Sequence, residues 1–160
     1  MPDSTNGMPE PGATAPSFEG KTQFGDTVHL GDYTGKKVAL YFYPKDDTPG
    51  CTKQACNLRD DYQTLLDSDI AVIGVSADDA ESHQAFAEKY DLPFPLVADT
   101  DKEIINAYGV WGEKNFYGNK KMGIKRTTFL IDEDGTIVHV FKRPKVKEHS
   151  REIMEKFAAA

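Results

Sequence analysis

Lys37-Val38-Ala39-Leu40-Tyr41-Phe42-Tyr43, running straight into Pro44-Lys45-Asp46-Asp47-Thr48-Pro49-Gly50-Cys51, sets the architecture of this chain. The first seven residues form an apolar run of β-branched and aromatic side chains between Gly35 and Pro44, which predicts a buried strand. Thr48 is a good helix N-cap residue, and Pro49 suits the first helical position, where a missing N–H costs nothing. Cys51 then falls at the third helical position. There, unpaired backbone N–H groups and the positive end of the macrodipole favour a thiolate over a thiol. The same position also suits a small buried hydrophobe near a helix start.

Working outward, Asp69–Ser76 is a second apolar strand, with weaker strands at Pro95–Asp99 and Thr127–Ile131 and a further one at Thr136–Phe141. Asp132-Glu133-Asp134-Gly135 joins the last two as a hairpin turn. Thr22–Leu30 reads as a small hairpin turned at Gly25-Asp26. Helical spacing covers Cys51–Leu66, through Cys56, Leu58, Tyr62, Leu65 and Leu66, and also Ala80–Tyr90, Asp101–Tyr108 and Lys147–Phe157. A hairpin, then β-α-β-α-β-α, then a hairpin and a helix describe an α/β protein. Its mixed sheet is parallel at first and closed by an antiparallel pair. Four of the nine prolines fall in the first sixteen residues. Residues 1–12 are therefore expected to be a flexible tail and 13–160 a single domain.

The 160 residues, 39% of them hydrophobic, suffice for one sizeable core. No apolar stretch approaches the ~18 residues of a membrane helix. The first residues carry neither a cationic and apolar leader nor an Arg-rich one, so a cytoplasmic protein is expected, with no membrane partner. A net charge of −7 disfavours nucleic acid as a partner. Residues 113–151 hold ten Lys/Arg against five Asp/Glu, which reads as solvated loop and helix faces. His29, His83, His139 and His149 show no metal-ligand spacing, and no P-loop, dinucleotide or haem motif is present.

Two cysteines, Cys51 and Cys56, are too few for a disulfide scaffold. They leave three readings: buried inert thiols, a redox pair, or one catalytic thiol with a helper. On an ideal helix the pair is about 140° apart around the axis, with Cα atoms ~8–9 Å apart. A disulfide needs less than ~7 Å. The spacing argues against an ordinary dithiol reductase. It fits a nucleophile that reacts first and is resolved afterwards by a thiol reached through local unwinding.

Pro44-x-x-x-Thr48-x-x-Cys51 matches the peroxiredoxin signature, and the chain resembles a peroxiredoxin of the bacterioferritin-comigratory (Q) type. Further matching blocks are Gly12–Phe18, Phe42–Thr52, Cys56 with Leu58-Arg59-Asp60, Tyr108–Lys114 and Gly123–Asp132. The resemblance implies a thioredoxin-like fold, a mixed β-sheet with helices on both faces. It also implies a thiol peroxidase acting on hydrogen peroxide and alkyl hydroperoxides without cofactor or metal, recycled by thioredoxin or a similar thiol reductant, and monomeric. Cys51 is then the peroxidatic thiolate and Cys56 the resolving thiol that joins it in an intramolecular disulfide. Thr48 hydrogen-bonds the thiolate or peroxide, Pro44 shields the sulfur, and Arg126 holds the thiolate charged and polarises the peroxide.

Each role has a plainer counterpart: Thr48 as a cap, Pro44 as a strand end, Arg126 as one more basic residue. Trp111 and Tyr43 read as core and pocket wall. Competing functions are a general disulfide oxidoreductase, against which the cysteine spacing counts, and a Cys–His hydrolase, against which the lack of a histidine in the matched motifs counts. A non-enzymatic peroxide sensor or redox-regulated holdase would share the first chemical step.

Overall fold

The computed structural model describes residues 8–116 and 118–159. In chain order run β1 (Glu19–Thr22), β2 (Thr27–His29), β3 (Lys37–Phe42), α1 (Pro49–Asp60), α2 (Tyr62–Asp67) and β4 (Ile70–Ser76). They are followed by α3 (Ala80–Tyr90), β5 (Leu96–Ala98), α4 (Glu103–Ala107), β6 (Trp111–Phe116), β7 (Asn119–Ile124), β8 (Thr127–Ile131), β9 (Ile137–Phe141) and α5 (His149–Ala159). The main sheet has the order β2-β1-β5-β4-β3-β8-β9. β3, β4 and β5 are parallel, while β8 joins β3, and β9 joins β8, in antiparallel register. On the other side, β1 pairs antiparallel with both β5 and β2. The mixed sheet expected from the element order is present, with a parallel centre and antiparallel flanks.

The apolar run of β3 has a direct cause: both faces of this central strand are covered. Ala39 and Tyr41 face one core, with Cys51, Ala55 and Leu58 of α1, Leu65 of α2, Phe86 of α3, and Ile153 and Phe157 of α5. Val38, Leu40 and Phe42 face the other, with Leu30, Ile104 and Ile105 of α4, and Tyr108. Burying one leucine fully contributes about 1.5–3 kcal/mol, so Leu58 and Leu65 anchor their helices firmly. Gly74 on β4 is required by this packing. A Cβ there would lie 2.9 Å from the ring of Tyr41.

The helix expected over Asp101–Tyr108 is shorter, Glu103–Ala107, and the hairpin expected over Thr22–Leu30 begins earlier, at Glu19. Three further expectations change. The helix expected over Cys51–Leu66 breaks at Asp61, whose backbone (φ −105°, ψ 14°) separates α1 from α2. The break brings Tyr62 edge-on to Phe94 and lets the Asp61 carboxylate accept the Ser150 hydroxyl of α5. In consequence Leu66, counted on the apolar face, is 41% exposed. The second change is a β6–β7 hairpin forming a separate two-stranded sheet where no strands were expected. Its glycine, lysine and asparagine content has low strand propensity. The third is the terminal helix, which begins at His149 rather than Lys147. Of the expected tail, residues 1–7 lie outside the described residues. Met8 packs on the second core, and the Gly12 N–H donates to Ile137 O at 2.7 Å.

Candidate active site

β3 delivers the chain to Pro44, which is half-buried and begins the loop before α1. Within that loop Asp47 adopts a left-handed backbone (φ 58°), an uncommon conformation for a residue with a side chain. Its carboxylate accepts from Lys89 Nζ and Tyr90 Oη of α3, both at 2.8 Å. These two hydrogen bonds hold the Asp47 carboxyl below its ordinary range.

Thr48 occupies the N-cap position in an extended conformation, with Pro49 next, as the sequence predicts. Its side chain does not cap the helix. The hydroxyl donates back to Lys45 O at 2.9 Å, closing the loop on itself. This leaves the Thr48 oxygen free to accept a hydrogen bond from a bound molecule.

Cys51 follows in the first turn of α1 and is 1% exposed. Arg126, from the segment between β7 and β8, reaches it across the fold: Nη2 donates to Cys51 Sγ at 3.3 Å. The other branch of the guanidinium, Nη1, donates to Gln54 Oε1 at 2.8 Å. Gln54 is fully buried and lies one helical turn past Cys51, so both sit on the same face of α1. The two helix residues thus engage the two prongs of one rigid, permanently charged fork. Sequence reasoning overlooked Gln54, although its i, i+3 spacing from Cys51 is a readable signal.

Two further donors lie in this neighbourhood. Tyr41 Oη and Gln54 Nε2 are buried without hydrogen-bond partners among the described residues. Burial first, and then the adjacent Cys51, hold the Tyr41 phenol far above its ordinary range, so Tyr41 remains a donor. Tyr43 stacks on Tyr41, with ring centroids 5.4 Å apart, but its hydroxyl is engaged with Asp46. Cys56 is half-buried, and both cysteines are free. Because α1 is unbroken from Pro49 to Asp60, helix geometry keeps the two thiols apart. The structure therefore joins Cys51 to Arg126 directly and places Thr48 and Pro44 on the loop leading to Cys51. It does not bring Cys56 to Cys51. Trp111 lies against the second core, as expected of a packing residue.

The chain is similar to known proteins in sequence and in fold. Residues 11–140 match the AhpC/TSA family. The putative peroxiredoxin bcp of Coxiella burnetii is 49% identical over 145 residues, covering 91% of this chain and 96% of that protein. Peroxiredoxin Bcp of Bacillus subtilis is 45% identical over 146 residues, covering 91% and 93%. Among solved structures, a cysteine-to-serine mutant of Xylella fastidiosa PrxQ superposes with a TM-score of 0.88 at 33% identity, covering 95% and 96% of the two chains. A buried cysteine at a helix start held by an arginine fork, on a scaffold shared nearly end to end with these proteins, leads to one conclusion: the chain belongs to the AhpC/TSA family, as a Q-type peroxiredoxin and thiol peroxidase.

Proposed function

We propose that Cys51 is the residue that reacts with peroxide. The observation that carries this is the Arg126 Nη2 to Cys51 Sγ contact of 3.3 Å, made at a helix N-terminus. A cationic donor and the helix dipole act together to stabilise the thiolate. The sulfur attacks the terminal peroxide oxygen. An S–O bond forms as the O–O bond breaks, leaving a sulfenic acid, and the departing oxygen takes up a proton to leave as water or an alcohol. Arg126 offsets the charge that develops on the breaking bond. Thr48, its own proton directed to Lys45 O, accepts the hydrogen of the incoming hydroperoxide. Pro44, which has no N–H to compete for the peroxide, walls the pocket.

Cys56 resolves the sulfenic acid. Its sulfur attacks Cys51, an S–S bond forms, and water leaves. This step requires the first turns of α1 to open, because the intact helix holds the Cα atoms ~8–9 Å apart. Thioredoxin or a similar dithiol then reduces the disulfide, and the chain works as a cytoplasmic monomer of one unit, residues 13–160, on hydrogen peroxide and alkyl hydroperoxides. The test is peroxide-dependent NADPH oxidation with thioredoxin and its reductase, run beside peptide mapping of the oxidised protein. The expected result is turnover and a Cys51–Cys56 disulfide. Turnover with a disulfide between two chains would remove Cys56 as the internal resolver.

A further inference from the structure

His83 on α3 is fully buried, and each of its ring nitrogens faces an acceptor. Nε2 lies 2.9 Å from Val97 O of β5, a backbone carbonyl that cannot donate. Nδ1 lies 2.7 Å from Asp46 Oδ2 in the loop before Cys51. A neutral imidazole carries one N–H and satisfies one of these contacts, leaving lone pairs opposed at the other. The Tyr43 hydroxyl also lies 3.4 Å from Nδ1, but its one hydrogen is directed to Asp46 Oδ1 at 2.6 Å, so a second proton in the Nδ1–Oδ2 contact is what relieves the opposition. Asp46 determines which atom holds it. Tyr43 Oη–H donates to Oδ1 at 2.6 Å and Ser82 Oγ–H to Oδ2 at 2.7 Å. Hydroxyl donors on both oxygens favour the ionised carboxylate.

The rest of the cluster agrees. Asp78, just past β4, accepts the Asp46 N–H and the Ser76 hydroxyl, both at 2.8 Å. Asp46, Asp78 and His83 place their ligand-type atoms within 4.8 Å of one another, so two carboxylates surround the imidazole. A hydrogen bond of 2.7 Å between Nδ1 and Oδ2 leaves no room for a metal ion between them. The other buried histidine provides the contrast. His149 Nδ1 donates to Glu152, while its Nε2 faces the Thr128 hydroxyl, which is able to donate. Neutral His149 is fully satisfied, and neutral His83 is not.

We infer that His83 is an imidazolium and a positioning residue for the peroxidase reaction, locking Asp46 and with it the Pro44–Thr48 loop onto α3 and β5. The loop has reason to need this lock. Asp47 holds an uncommon left-handed backbone, and α1 must open beside it during resolution. α3 grips both consecutive aspartates, Asp46 through Ser82 and His83 and Asp47 through Lys89 and Tyr90. The anchor lies outside the segment that unwinds, so the loop keeps its place while the helix melts and re-forms. The inference rests on the assignment of Cys51 as the reactive thiol, but the protonation of His83 can be read without any turnover.

The experiment is ¹⁵N NMR of the full-length, reduced protein with labelled histidines, at mildly alkaline pH where a free imidazole is neutral. His83→Gln identifies the His83 signals, and elimination through His29→Gln, His139→Gln and His149→Gln identifies them independently. The expected result is a proton on both ring nitrogens of His83, with one lost in Asp46→Asn. His83→Gln, which keeps a neutral donor toward Asp46, is expected to slow the reaction of Cys51 with peroxide by about 10- to 100-fold, the scale of a displaced catalytic loop. An unprotonated ring nitrogen in the wild-type protein overturns the charge assignment, whether or not either variant folds. A wild-type reaction rate in His83→Gln overturns the positioning role.

Discussion

Arg126 donates to Cys51 Sγ across 75 residues of chain, with its second prong fixed on Gln54 Oε1 at 2.8 Å. The guanidinium is therefore oriented before any substrate arrives. One prong tends the sulfur, and the other is braced by the same helix that carries the sulfur.

This bracing makes Arg126→Lys more than a mild change. An ammonium can keep the charge beside Cys51 but cannot reach both the sulfur and Gln54 with one planar group. Peroxide reactivity, read as the second-order rate of sulfenic acid formation, is expected to fall about 10-fold or more, equivalent to ~1.4 kcal/mol. Wild-type kinetics in this variant would make Arg126 a bystander.

Gly50→Ala should separate stability from reactivity. Alanine in a helix is favoured over glycine by about 1 kcal/mol, so the variant is expected to resist urea at least as well as the parent. A Cβ at this position, however, lies 3.0 Å from Arg126 Nη2. The fork must shift away from Cys51 by a few tenths of an ångström, and the rate with peroxide should drop about tenfold, a loss of ~1.4 kcal/mol. Stopped-flow kinetics beside a urea melt tests both halves.

Amide exchange should report the redox motion. In the reduced protein, α1 is continuous from Pro49 to Asp60, so amides over residues 52–60 should be protected. In the disulfide form, protection is expected to vanish near Cys51–Cys56 and to persist in α2, which Leu65 anchors in the core beyond the break at Asp61. Equal protection in both states, with a confirmed Cys51–Cys56 bond, is the outcome that defeats the helix-opening argument.

Tyr41 and Tyr43 stack on one another, yet removing their hydroxyls should have opposite effects. Tyr43 donates to the Asp46 carboxylate at 2.6 Å, so Tyr43→Phe is expected to cost about 1.5–3 kcal/mol, as for other hydrogen bonds to charged groups. Tyr41 Oη has no partner among the described residues, so Tyr41→Phe should be neutral or stabilising by up to ~1 kcal/mol in the reduced protein. Chemical denaturation of both variants provides the comparison.

Burial pushes His149 below its ordinary pKa, the largest of its influences. The unfolded chain therefore binds a proton that the folded chain resists. The stability that depends on neutral His149 is present above the unfolded pKa, about 6.5, and is lost as pH falls from there through the folded value. His139, also lowered by burial, acts in the same sense. The urea midpoint should drop between pH 7 and pH 5, and His149→Gln should flatten that drop. A midpoint equally sensitive to pH in His149→Gln would exclude this histidine as the cause.

What the sequence determined by itself was local. The apolar run of β3 and the cap-and-proline start of α1 placed Cys51 in a first helical turn, because strand burial and helix initiation depend on neighbouring residues. The five-residue spacing of the cysteines, read on an ideal helix, likewise anticipated two thiols held apart. The break at Asp61 was not legible, since the apolar period continues through it and the reason for turning lies in Phe94 and Ser150, distant in sequence. Nor was the β6–β7 hairpin, whose residues have little strand preference of their own. Tertiary structure alone decided what surrounds the sulfur and the loop. Arg126 could be assigned from the sequence only by family resemblance, and its brace on Gln54 and the buried Asp46–His83 pair exist because sheet order β5-β4-β3-β8 brings four separate segments together. Hydrogen bonds between such segments depend on three-dimensional proximity, and a linear pattern of residue types carries no distance between them.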